Sequence, residues 1–125
     1  MIEIDLHLHT TFSDGRLTPT ELVCMCNERG LKIMAVTDHD STEGLDEAVK
    51  AASGFSDMTI VPGIELSTDI PGAEIHLLGL FINRNDVPLQ RQLSAMREGR
   101  QGRAEAMVKN LEKLGVFVSW EHVQQ

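Results

Sequence analysis

The chain has 125 residues, 42% of them hydrophobic and 24% charged, with a formal net charge of -8; this is the composition of one globular domain, not of a disordered or fibrous chain. No run approaches the roughly 18 apolar residues of a membrane span, and the opening MIEIDLHLHT lacks the basic start and apolar block of a secretory signal, so cytoplasmic residence without a membrane partner is expected. The acidic balance and the absence of a recognition motif argue against sequence-specific DNA binding.

The first apolar segment predicts a strand, on which Ile2, Ile4, Leu6 and Leu8 point one way and Glu3, Asp5, His7 and His9 the other. Thr18, Pro19 and Glu21 predict a helix start, with an N-cap threonine, a proline at the first helical position and a glutamate closing a capping box. Gly30 stops that helix. Cys24 and Cys26, two apart within it, face different directions, which suits neither a disulfide nor a CxxC metal site. LKIMAVTDHDST predicts a second strand, and Asp40 to Glu43 begin the next capped helix, through about Ala52. MTIVPGIELST and AEIHLLGLFI predict a third and fourth strand joined closely by DIPGA. Strands alternating with helices define an α/β architecture whose polar strand tips gather at one end.

Beyond Val87 the pattern changes. Leu89, Leu93, Met96, Ala104, Met107, Val108, Leu111 and Leu114 recur at helical spacing on either side of REGRQGR, as one long helix or two hinged at Gly99 or Gly102, ended by Gly115. VFVSWEHVQQ predicts a short extended piece and a helix capped by Ser119. That helix has scarcely begun at Gln125 and Trp120 needs something to pack against, so the chain is expected to be a fragment of a longer protein. The expected domains are 1–83 and 84–125. Residues 84–113 hold seven Lys or Arg against four Asp or Glu, a net +3, leaving -11 for the rest. Acids converging in a cleft attract cations and a basic arm attracts an anion such as a phosphate ester, unless both merely solvate the surface.

Four of the five histidines fall in or just after predicted strands: His7 and His9, His39, and His76. Acids accompany them: Asp5 and Asp14, Asp38 and Asp40, Glu65, and Glu74. Imidazole and carboxylate together suit borderline divalent ions such as Zn, Mn or Fe, and a carboxylate can bridge two of them, so a multinuclear site is the natural reading. Taken singly, each residue has a plainer role: His76 a structural or surface histidine, Asp38 a turn residue, Asp40 a helix cap. His122 is assigned no ligand role.

DLHLHT with Asp14 downstream, then TDHD, PGIE and IHLLG, in this order and at these separations, resemble the polymerase and histidinol phosphatase (PHP) superfamily. The arginine-rich stretch followed by GVFVSWEHV is similar to the inserted helical domain of the branch containing nucleoside 3',5'-bisphosphate phosphatases and a related 5'-to-3' exoribonuclease. The resemblance implies the N-terminal portion of a distorted (β/α)7 barrel, followed by the start of a helical insertion. It implies three divalent ions, Mn foremost with Zn, Fe or Mg as alternatives. His7, His9 and Glu65 would hold one ion, Glu65 would bridge to a second also held by His76, and Asp14 with His39 would hold a third; Asp5, Asp38 and Asp40 would support these ligands. The family's later motifs supply further ligands and have no counterpart before Gln125, so the fragment itself is expected to be inactive.

The implied activity is hydrolysis of phosphate esters of small nucleotides, either a 3',5'-bisphosphonucleotide or short RNA 5' ends, by metal-activated hydroxide. Arg97, Arg100 and Arg103 recur every third residue and form a slowly rotating helical stripe, suited to a second phosphate or an oligonucleotide backbone, or else to a solvated face paired with Glu98 and Glu105. The alternatives are a histidinol-phosphate phosphatase and a noncatalytic, metal-stabilised PHP module. Four strands form an open partial barrel, so self-association through its exposed edge is a further expectation.

Overall fold

The computed structural model describes residues 3–70 and 73–123, with the side chains of 69, 70, 73 and 74 not described. Ile2, the Pro71 and Gly72 part of the DIPGA turn, the Glu74 side chain and Gln125 therefore lie outside the described residues. The elements run β1 (Ile4–Leu8), α1 (Pro19–Glu28), β2 (Ile33–Val36), α2 (Leu45–Ala52), β3 (Thr59–Ile70), β4 (Ala73–Leu80), α3 (Val87–Lys113) and α4 (Trp120–Val123). They fall into two compact units, Met1–Asp86 and Val87–Gln125.

The first unit is an α/β layer with a four-stranded sheet in the order β1-β2-β3-β4. β1 and β2 are parallel, as are β2 and β3, and each pair is joined through a helix as parallel strands require. The core forms where Leu22, Val23 and Cys26 of α1 and Leu45, Ala48 and Ala52 of α2 close over Met34 and Val36, alternate residues of β2. α1 begins as its sequence dictates: the Thr18 side chain caps Glu21 N–H, Glu21 bonds back to Thr18, and Pro19 sits at the first position. It ends at Glu28, and Gly30 follows with φ +80°. Cys24 and Cys26 are free.

β3 changes partners along its length. Thr59 to Pro62 run beside β2, whereas Gly63 to Ile70 pair antiparallel with β4. Pro62 and Gly63 mark the switch. Pro62 has no N–H to give, and its carbonyl accepts from Ile82 N–H at 3.1 Å. A Cβ at Gly63 would stand 2.7 Å from Thr37 Cγ2 and 3.0 Å from the Val36 carbonyl oxygen, so this crossing admits no side chain.

Two sequence expectations are corrected here. The register of β1 shifts between Asp5 and Leu8, three residues matching two on β2, and this bulge breaks the strict alternation read from the sequence. Ile4, expected on a buried face, is 50% exposed. α2 starts at Leu45 with Gly44 as its cap and no side-chain cap bond, so Asp40 is not its cap.

The second unit is described by itself. α3 is one continuous helix of 27 residues, running through Gly99 and Gly102 without a hinge. Nothing lies within 4 Å of a Cβ built at either glycine. Gly115, at φ +81°, follows its end. Residues 116–119 form no strand, and Ser119 Oγ then accepts the His122 N–H at 3.3 Å and contacts His122 Nδ1 at 2.7 Å, capping α4. No described helix is long and apolar enough to cross a membrane.

Candidate metal centre

Three stretches of the first unit supply the candidate donors. β1 carries His7 near its end and His9 just beyond it; Asp14 follows in the loop to α1. That loop is a compact turn centred on Thr10, which is fully buried: its carbonyl accepts Ser13 N–H and Gly15 N–H at 3.0 and 2.9 Å. Gly15 packs so closely on the His9 carbonyl that a Cβ there would collide with it. Beyond β2, Thr37 N–H donates to Leu8 O at 2.8 Å, and His39 forms a parallel bridge with Glu65. Asp40 N–H donates to Glu65 O and Glu65 N–H to Asp38 O. These bonds set the His39 ring above Glu65.

Glu65 and His76 are not at strand tips, contrary to the sequence reading. Both lie within the antiparallel part of the sheet, where Glu65 pairs with Leu78 and Ser67 with His76, so His76 meets Glu65 diagonally across two strands. The reason is the length of β3, which continues past the end of β2 and carries its seventh residue to where the shorter parallel strands terminate.

The six residues converge. Glu65 Oε2 lies 2.9 Å from His7 Nε2 and 3.0 Å from His9 Nε2, while Glu65 Oε1 lies 2.9 Å from His76 Nδ1. His9 Nδ1 is 3.1 Å from Asp14 Oδ1, and His39 Nε2 is 3.7 Å from both Asp14 Oδ2 and Glu65 Oε2. The rings form a row, with centroids 5.1, 4.8 and 4.9 Å apart from His7 through His9 and His39 to His76. Burial alone would raise the pKa of the Glu65 carboxyl, but hydrogen bonds from His7 and His76 and the charges of His39 and His7 outweigh it and hold it below the ordinary value. Asp14 follows the same pattern: burial opposes, while His9 and His39 prevail and lower it. Both acids are therefore poised as anions.

The supporting acids divide. Asp38 and Asp40 are each 1% exposed and reach into the site's framework. Asp5 accepts His7 N–H at 3.2 Å, and its charge adds to burial, the larger cause, in raising the Cys26 thiol. Sequence reading missed Thr10, Ser13 and Ser67, which hold Asp38 and Asp40 in place. Their partners stand 25 to 28 positions away, so no local pattern could point to them. Arg97, Arg100 and Arg103 lie on α3, Arg97 half-buried and the other two exposed.

Fold and cluster together define an α/β protein with an imidazole–carboxylate donor set gathered over its central strands. The chain belongs to the PHP family: the PHP domain matches residues 5–116. It is 40% identical to the 3',5'-nucleoside bisphosphate phosphatase of Chromobacterium violaceum, over 93% of this chain and 40% of that protein. It is 38% identical to the 5'-3' exoribonuclease Rnm of Salmonella typhimurium, over 94% of this chain and 40% of that one. Among solved structures, a Bifidobacterium adolescentis protein provisionally assigned as a metal-dependent phosphoesterase superposes with a TM-score of 0.85 at 30% identity, covering 97% of this chain and 42% of the other. The chain thus spans about two fifths of the length of these relatives.

Family membership implies a divalent-metal cofactor, and the donors fit one. Three groups have ligand atoms lying within 4.8 Å of one another: His7, His9 and Glu65; His9, Asp14 and His39; His39, Glu65 and His76. Nitrogen and carboxylate donors at this density suit a divalent cation of intermediate softness. His39 Nδ1 is buried with no hydrogen-bond partner among the described residues, so that ring is held by its backbone and its neighbours.

Proposed function

We propose that the whole protein is a metal-dependent phosphoesterase acting on phosphate esters of small nucleotides, either a 3',5'-bisphosphonucleotide or the 5' end of a short RNA. The observation that carries this reading is Glu65, a carboxylate with a 6% exposed side chain set against His7, His9 and His76, within 3.7 Å of His39. A buried anion surrounded by imidazoles is arranged to accept cations. His7, His9 and Glu65 would hold one divalent ion, Glu65 with His76 a second and Asp14 with His39 a third, with Mn foremost and Zn, Fe or Mg as alternatives. The chemistry such ions would supply there is a nucleophile from water at neutral pH and an offset to the charge of the phosphoryl oxygens.

The chain's own residues then have distinct tasks. Glu65 would help to hold two ions, its Oε2 lying beside His7 and His9 and its Oε1 beside His76. Asp14 contributes the exposed anionic edge, its side chain 68% exposed. Arg97, Arg100 and Arg103, in the helical part taken as residues 84–125, grip a second phosphate or a nucleotide backbone. The reading places the protein in the cytoplasm. It also includes self-association through the sheet edge at β4, where Ile75, Leu77 and Leu78 are 43%, 55% and 46% exposed; sedimentation of the chain as a strict monomer at all concentrations would remove that element.

The test is a substrate panel. The whole protein, loaded with Mn²⁺, is assayed against a 3',5'-bisphosphonucleotide, a short 5'-phosphorylated RNA and histidinol phosphate. Turnover of either nucleotide substrate, lost on chelation and restored by metal, is expected. Turnover of histidinol phosphate alone would reassign the substrate, and bound metal without turnover of any of the three would make the domain a noncatalytic module.

A further inference from the structure

His39 is the hinge of the donor cluster, belonging to one group with His9 and Asp14 and to another with Glu65 and His76. Its sequence neighbours are the carboxylates Asp38 and Asp40, each 1% exposed, and they reach toward different partners. Asp38 Oδ1 accepts Thr10 N–H at 2.7 Å and the Ser13 hydroxyl at 2.6 Å, and Oδ2 accepts the Thr10 hydroxyl at 2.7 Å. All three bonds hold the loop that follows His9 and carries Asp14. Asp40 Oδ1 accepts Ser67 N–H at 2.9 Å, and Ser67 is the residue opposite His76 on β4.

The backbone explains how two acids separated by one residue can serve opposite sides. In an extended segment, residues i and i+2 share a face. Asp40 instead has φ +49°, in the left-handed region that aspartate tolerates better than most side chains. This departure frees Asp40 from the face of Asp38 and directs it to β3. Burial of each carboxylate is offset by the donors it receives, charge-assisted bonds stronger than neutral ones.

We propose that Asp38 and Asp40 are separable positioning residues, Asp38 setting the His9–Asp14 side of the cluster and Asp40 setting the Glu65–His76 side, with His39 held between them. The proposal rests on the metal-binding reading above only for its second readout. Neither acid is a ligand in this scheme; each acts through the residues it bonds.

The experiment follows the imidazole resonances of the 125-residue chain by heteronuclear NMR, first metal-free and then during titration with Zn²⁺ as a diamagnetic probe. Four variants are compared with the native chain. Asp40→Gly removes the bond to Ser67 while accommodating the positive φ; Asp40→Asn keeps both the acceptor and the tolerance of that φ. Asp38→Asn removes one acceptor oxygen. Thr10→Val removes the hydroxyl bond to Asp38 Oδ2 at nearly constant volume, and with it the acceptor of Phe12 N–H; it spares Ser13, whose hydroxyl itself contacts His9 Nδ1 at 3.4 Å and Asp14 Oδ1 at 3.2 Å, and it serves if Asp38→Asn fails to fold.

In the metal-free chain, Asp40→Gly should displace the His76 resonances and leave those of His9 native, Asp40→Asn should restore His76, and Asp38→Asn or Thr10→Val should displace His9 and spare His76. In the titration the apparent Zn²⁺ affinity read at the displaced ring should fall roughly 10- to 100-fold, the range for residues that orient metal ligands, with the other ring responding as in the native chain. Equal displacement of His9 and His76 by every variant would mean general loosening and would overturn the proposal. Native spectra for Asp40→Gly or for Thr10→Val would overturn the corresponding half. A native chain whose rings ignore Zn²⁺ while the metal-free displacements split as described would sink the metal reading and leave both positioning roles standing.

Discussion

The two units of the molecule use polar side chains in opposite ways. In the first, Thr10, Thr37, Asp38, Asp40, Ser41, Thr42 and Glu65 are buried, and bonds among such groups join residues as far apart as Thr10 and Asp38. In the second, α3 carries local and exposed polar pairs such as Ser94 with Glu98 at 3.2 Å and Gln101 with Glu105 at 2.9 Å. Local pairs one turn apart contribute about 0.2–0.5 kcal/mol each and follow any helix of that sequence. Buried long-range bonds exist only in one fold, and an unpaired member costs more than the bond is worth. The ligand geometry is thus a tertiary property and the basic character of α3 a compositional one, so substitutions in the two units should differ in kind.

The sharpest contrast is between Glu65→Gln and Arg100→Ala. Glu65→Gln removes the anion that faces three imidazoles within 3.0 Å. It should lower the divalent-metal content of the folded chain by at least one ion, and the affinity by more than the roughly 100-fold that outer residues cost; elemental analysis after dialysis reads this directly. Arg100→Ala should leave metal content unchanged and, in the whole protein, raise KM for a bisphosphonucleotide severalfold with kcat near native. Metal loss in the arginine variant would break the comparison.

Stability separates the units next. Gly63→Val inserts a side chain where Thr37 Cγ2 and the Val36 carbonyl leave no room, and overpacking of this kind costs about 1–3 kcal/mol. Urea denaturation followed at 222 nm should show the midpoint fall with little change in slope. Thr18→Ala, which deletes an observed N-cap bond, should cost about 1 kcal/mol. Gly102→Ala should go the other way: the site is open and helical, so alanine should add up to about 1 kcal/mol of helix stability, visible as increased ellipticity and a higher midpoint for the second unit. A loss there would show that Gly102 makes a close approach after all.

What could be read from the sequence follows the same division between local and distant causes. The capping box at Thr18, Pro19 and Glu21, the stop at Gly30 and the end of α3 at Gly115 are signals carried within a few residues, and each appears where expected. The donors were legible because DLHLHT, TDHD, PGIE and IHLLG place histidines and acids beside apolar strands. Position along the sheet was not: only the partner change at Pro62 and Gly63 shows why Glu65 lies mid-strand yet faces His9. A one-residue register shift interrupts β1 between Asp5 and Leu8, and periodicity cannot foresee an insertion that depends on the neighbouring strand. Asp40 resembled a helix cap because aspartate before a helix commonly is one; its positive φ and its bond to Ser67 are tertiary facts. Gly99 and Gly102 suggested a hinge through low propensity, and α3 continues regardless.

The smallest expected effect tests whether a purely local bond in the first unit behaves like those of the second. Glu21 Oε2 accepts the Thr18 N–H and the Thr18 hydroxyl, both at 2.9 Å. The backbone bond first, and then the hydroxyl bond, hold the Glu21 pKa below its ordinary 4.5. Because the folded value is the lower one, the unfolded chain takes up this proton first, and the carboxylate's contribution to stability is complete above pH 4.5. It is lost as pH falls through the folded value. Glu21→Gln removes the ionised acceptor, so its melting temperature should lie slightly below that of the native chain at pH 7, by an unchanging margin down to about pH 5.5, and the margin should close below pH 4.5. The carboxylate is solvent-exposed, so 0.5 M salt should narrow the gap at neutral pH as well. A margin that widens on acidification would give Glu21 the opposite linkage and remove it from the cap; a margin indifferent to both pH and salt would assign the cap's strength to the Thr18 hydroxyl alone, leaving the Thr18→Ala loss as the full value of the motif.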